Sequence, residues 1–158
     1  MSTCRRINPL VFLSLLAAVA LVAAPAAASP KPKTHQVDLT AATKTVSGSI
    51  LDSPARQKGT ISGKLFGSGK IRLTVQLDLV FRTATGTFRI RNDKGSVLGT
   101  LDGTIEGHNR EIDFDGTADF TGGKGRYEGI SGTGLEAQAH WTLDDEDGTL
   151  SLKGLATY

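Results

Sequence analysis

Cysteine is nearly missing from this chain: Cys4 is the only one, and it precedes an apolar run from Leu10 to Ala24. One cysteine can build neither a disulfide framework nor a thiolate metal cluster. Aromatic residues are sparse, with a single Trp, too few for the two aromatic girdles of a barrel in a membrane. After the apolar run, no window of about 12 residues keeps apolar side chains at helical spacing, so no amphipathic helix is expected. Histidine is limited to His35, His108 and His140, which share no ligand spacing, and no zinc or iron motif is present.

What the N-terminus does contain is the three-part pattern of an export signal. Arg5 and Arg6 are followed by the apolar run and then by the small residues Ala26, Ala27 and Ala28. Cleavage after Ala28 is expected. A cut one residue earlier would leave Pro25 three positions before the bond, and a cut one residue later would leave Pro30 directly after it. The run is shorter than the roughly 20 residues a membrane-spanning helix needs. The expected organisation is a signal peptide over 1–28, a flexible lead over 29–43 and a β domain over 44–158. The expected location is the periplasm or the medium, by the general or the twin-arginine route.

Loss of the signal also resets the charge. Of 18 Lys and Arg against 16 Asp and Glu, the segment removes Arg5 and Arg6, so the mature chain is near neutral. A balance of this kind predicts no electrostatic footprint for nucleic acid or anionic lipid.

The mature chain reads as strands and turns. From Lys70 to Arg82, Ile71, Leu73, Val75, Leu77, Leu79 and Phe81 fall on one face, and Arg72, Thr74, Gln76, Asp78 and Arg82 on the other. This alternation predicts an antiparallel strand with one buried face. Weaker alternation recurs at Val46/Gly48/Ile50, Ile61/Leu65, Phe88/Ile90, Ile112/Phe114, Leu135 to Trp141 and Leu150 to Tyr158. Turns are expected at Gly67–Gly69, Asn92–Gly95, Gly107–Asn109, Gly122–Gly125 and Asp145–Gly148. The fold expected is all-β: an antiparallel up-and-down β-barrel of about eight strands, with a two-sheet β-sandwich as the alternative. Interior glycines such as Gly99, Gly103, Gly116 and Gly154 favour the barrel by allowing bends and bulges.

The segment from Phe120 to Gly134, with Gly122-Gly123-Lys124-Gly125 leading into Arg126-Tyr127 and then Gly129, resembles a hairpin of the allene oxide cyclase and dirigent-like β-barrels. The resemblance implies an eight-stranded barrel, often oligomeric, with an apolar cavity that guides a reactive small molecule through cyclisation or coupling. It carries over the fold alone, because the polar groups those enzymes use lie outside this hairpin. Read physically, the same glycines supply turn positions with positive φ, and Tyr127 packs inward.

Catalytic and metal motifs fall short. Gly129-Ile130-Ser131-Gly132-Thr133 misses the nucleophile elbow at its last glycine, and no strand-to-helix turn surrounds it. The glycines at 123, 125 and 129 miss the dinucleotide pattern by one position. Asp144-Asp145-Glu146-Asp147 lacks the loop length and distant glutamate of an EF-hand and reads as a hairpin turn. His140 falls on the polar side of its strand. Glu111, Asp113 and Asp115 share one strand face and are expected to point outward, with Arg89 and Arg91 as ion-pair partners.

The function expected is that of an exported, non-catalytic barrel that binds a small apolar ligand or serves as a structural or interaction module. The candidate cavity lining is Leu73, Val75, Leu77, Leu79, Phe81, Phe88 and Trp141. No cofactor or metal is expected, the partner is a small apolar molecule and neither nucleic acid nor membrane, and self-association is compatible. Two alternatives stand beside it: a cyclase- or isomerase-type enzyme confining a hydrophobic substrate, and a small outer-membrane barrel suggested by the alternation of Leu150, Leu152, Gly154, Ala156 and Tyr158.

Overall fold

A computed structural model of the chain describes residues 31–51 and 54–158. The expected signal segment, 1–28, and the start of the lead lie outside the described residues. The rest is all-β: β1 (Thr34–Ser47), β2 (Ala55–Lys64), β3 (Gly67–Asp78), β4 (Thr83–Asn92), β5 (Gly95–His108), β6 (Glu111–Gly125), β7 (Gly132–Thr142) and β8 (Asp147–Thr157). Each strand pairs antiparallel with its neighbour in sequence, and β8 returns to β1, so the sheet is a closed up-and-down barrel. Closure leaves no strand edge open to a second chain. The sandwich alternative is thereby replaced by the barrel.

The period-two alternation produces this closure by sorting side chains to two faces. In β3, Ile71, Leu73, Val75 and Leu77 are buried while Lys70, Arg72 and Gln76 are exposed. Inward side chains of all the strands join one contiguous apolar cluster. Each fully buried Leu, Ile or Val contributes about 1.5–3 kcal/mol relative to exposure.

Several boundaries differ from the sequence reading, for physical reasons. The lead does not extend to residue 43: β1 begins at Thr34, with Val37, Leu39, Ala41 and Thr43 inward. Ala and Thr at inward positions blur the apolar alternation there. Val46 shares the outward parity of Ala42 and Lys44 and is exposed, β1 ends at Ser47 after a bulge, and Ile50 is buried from the connection that follows. The β2–β3 turn is centred on Leu65 and Phe66, not on Gly67–Gly69, because Phe66 drops its ring into the core. Gly122 and Gly123 belong to β6, paired with Leu98 and Val97. The turn falls at 126–129, where Glu128 N donates to Gly125 O (3.1 Å) and Ile130 N to Tyr127 O (3.1 Å).

Two interior glycines, Gly103 and Gly116, face each other across β5 and β6. A Cβ on Gly103 would meet Asp115 O at 2.4 Å and one on Gly116 would meet Asp102 O at 2.3 Å, and either would meet the other's Cα at 2.6 Å and the Phe114 ring at 2.8 Å, so the pair lets β5 and β6 approach closely and makes room for Phe114. Gly99 does sit at a bulge, as expected, and also yields space to Phe88, whose Cζ would lie 2.2 Å from a Cβ there.

Candidate functional site

Antiparallel order places the β1–β2, β3–β4, β5–β6 and β7–β8 connections at one rim. The other rim carries the remaining turns and the β1–β8 seam ends. The seam rim is closed by aromatic rings. Phe66 lies 4.6 Å from Tyr127 and 6.1 Å from Phe120, Phe120 lies 6.1 Å from Phe88, and Tyr127 lies 5.9 Å from Tyr158, all between ring centroids. Asn92 Nδ2 donates to the Tyr127 hydroxyl (2.8 Å) and to Phe66 O (2.7 Å), tying the plug to two turns. Tyr127 packs inward as its place in the Gly-rich hairpin predicts, at 1% exposure.

Near the opposite rim the interior is polar. Gln57, 1% exposed, accepts through Oε1 from Trp141 Nε1 (3.1 Å) and Thr43 Oγ1 (3.0 Å), and its Nε2 reaches Thr45 Oγ1 at 3.4 Å. This cluster satisfies groups whose burial would otherwise be costly. Gln57 was missed in the sequence because a polar residue between Arg56 and Lys58 carries no mark of an inward position.

Of the candidate lining residues, Leu73, Val75, Leu77, Phe88 and Trp141 are buried in the core. Leu79 and Phe81 are not: they are 55% and 76% exposed. β3 ends at Asp78, whose Oδ1 accepts from Val80 N and Phe81 N (3.0 Å each), and this side-chain turn diverts the chain before residue 79. Leu79, Val80 and Phe81 form an exposed hairpin tip. The five residues that remain meet other side chains, and an eight-stranded barrel is just wide enough for side chains to fill. Depressions lie instead on the outer wall or at the rim of the β3–β4 and β5–β6 connections.

The outer wall is divided by charge. On β2, β3 and β4 the exposed positions include Arg56, Lys58, Lys70, Arg72, Arg89 and Arg91. On β5, β6 and β7 they include Asp102, Glu106, Glu111, Asp113, Asp115 and Glu136. Glu111, Asp113 and Asp115 point outward as expected, but Arg89 and Arg91 are not their partners, since β5 separates β4 from β6. Asp113 instead meets His140 Nδ1 at 2.8 Å. His140 is half-exposed on the outer face, in keeping with its polar-side assignment. A depression of about 570 Å³ runs over this acidic wall, lined among others by Glu106, Asp115, Gln138 and His140. Among the described residues, no group of three or more His, Cys, Asp and Glu could hold a metal ion.

No family model matches the chain, and no curated protein or solved structure shows significant similarity to it. The class to which the chain belongs is therefore set by architecture alone: a closed, eight-stranded antiparallel β-barrel.

Proposed function

We propose that this chain is an exported, non-catalytic binding module whose barrel is a packed scaffold and whose working surface is the outer wall. The observation that carries this reading is the contiguous apolar cluster that the inward side chains of the eight strands form. One rim is filled by the Phe66, Phe120, Tyr127 and Tyr158 rings, and the polar side chains near the other are turned toward one another. Of the expected functions this favours the interaction module over a carrier of a small apolar ligand. Export rests on the N-terminal pattern, and the expected mature start is Ser29.

The enzymatic alternative needs a polar group free to face a substrate. Gln57 is the best-placed buried candidate, and its carbonyl is already taken by Trp141 and Thr43. The outer-membrane alternative needs apolar side chains outside and polar ones inside. Here the polarity is the reverse, with Arg72, Arg89, Asp113 and Asp115 outside and Leu73, Phe88, Ile112 and Phe114 inside. The family kinship suggested by the Gly-rich hairpin remains part of the proposal through its fold.

The test is titration of the purified protein with the neutral fluorescent probe N-phenyl-1-naphthylamine. The scaffold reading expects no saturable fluorescence gain. A saturable one-to-one gain that Ala137→Phe removes overturns it in favour of a ligand carrier. N-terminal sequencing of the protein recovered by osmotic shock tests export, with Ser29 as the expected first residue and Met1 as the overturning result.

A further inference from the structure

The basic wall of β2, β3 and β4 is arranged as a grid. Lys58 is in register with Arg72, Arg72 with Arg89, and Lys70 with Arg91. Strands lie about 4.8 Å apart, and same-face residues on one strand about 6.7 Å apart. Like charges directly opposed across strands destabilise a sheet, and no carboxylate offsets them: among the described residues, none of these cations is in an ion pair. Lys70, Arg72, Arg89 and Arg91 surround a depression of about 320 Å³. An adjoining one of about 340 Å³ shares Arg72 and Arg89 and is lined by Thr74, Thr87, Thr100 and Thr121.

A cation grid that costs the sheet stability is explained by a ligand that brings repeated negative charge. Arginine presents a planar donor fork that matches carboxylate and sulfate groups, and the threonines beside it offer hydroxyls to a hydroxylated partner. The outward positions of β2–β4 carry no aromatic ring, so the stacking platform of single-stranded nucleic-acid binders is not built here. Leu98 of β5, in register with Arg89 and 45% exposed, borders the cations, but a single leucine offers too little apolar area to enter a bilayer. The acidic wall around the barrel repels the same ligand, so only one side of the molecule can engage it.

We propose that the outer face of β2–β4 binds an anionic polysaccharide, with Arg72 and Arg89 at the centre of the contact. This inference rests on the reading of the outer wall as the working surface. Heparin and polygalacturonate serve as sulfated and carboxylated probes, neutral dextran as the control, and single-stranded DNA and phosphatidylglycerol vesicles as competing partners. The purified protein is expected to bind at least one anionic polysaccharide more tightly than DNA, vesicles or dextran, and to release it as salt rises.

Arg72→Glu with Arg89→Glu is expected to weaken binding by at least about tenfold, through loss of the charge-assisted contacts. Lys153→Glu, on the outer face of β8, changes charge without touching the grid and is expected to leave affinity within about twofold. Should the double reversal not fold, Arg72→Gln with Arg89→Gln replaces it, with a smaller loss of binding and a raised melting temperature as like charges are removed. Equal effects of the grid and Lys153 variants, tighter binding to DNA or vesicles, or retention no better than on dextran would overturn the inference. Such a failure with the interior still closed to the naphthylamine probe sinks this proposal alone, whereas entry of the probe sinks the scaffold reading whatever the wall binds.

Discussion

The two ends of the barrel are closed by different physics. At the seam rim, rings of Phe66, Phe120 and Tyr127 exclude water by area, and their contacts tolerate small displacements. Toward the opposite rim, Gln57, Thr43 and Trp141 are held by directional bonds at 3.0 and 3.1 Å, which fail abruptly when a partner is lost. The contrast teaches that an apolar plug stabilises in proportion to its size, whereas a buried polar cluster stabilises little and mainly fixes one arrangement.

Truncation at each end tests that difference. Phe120→Ala is expected to have the largest effect, lowering stability by about 3–5 kcal/mol in denaturant unfolding, from lost burial and the cavity left behind. Gln57→Leu strands the Trp141 N–H, while the Thr43 hydroxyl keeps Gly148 O as its acceptor (3.2 Å), and should cost about 1–3 kcal/mol. A loss as large as that of Phe120→Ala would show that the polar end carries as much stability as the aromatic one. Tyr127→Phe keeps the ring and removes only the hydroxyl that accepts from Asn92; about 0.5–1.5 kcal/mol is expected by the same measurement. Smallest of all, Phe81→Ser at the exposed hairpin tip should stay within about 0.5 kcal/mol, because that ring lies outside both closures.

The sequence made the barrel legible because alternation is a statement about faces. Ile71, Leu73, Val75 and Leu77 went where their spacing sent them. It misled where alternation outran the strand: Leu79 and Phe81 keep the period, but Asp78 can bond the two following amides and so ends the ladder. It was silent at β1, where Ala41 and Thr43 are inward yet small or polar, and at Gln57, whose burial depends on partners 14 and 84 residues away. Charge was hidden for another reason. A near-zero sum says nothing of position, and the segregation of Arg72 and Arg89 from Asp113 and Asp115 appears only when strand order is known. Whether an inward side chain lines a void or fills it is equally beyond periodicity.

The seam between β1 and β8 sets the order of events in time. Thr34 pairs with Thr157, and Lys33 exchanges two backbone hydrogen bonds with Tyr158, at 3.0 and 3.2 Å. The first strand of the barrel therefore waits for the last, and the ring cannot close until β8 has been synthesised. Contacts between the most distant parts of a sequence form slowly, because loop closure precedes any reward. A barrel built this way stays an open sheet until its last strand pairs with its first.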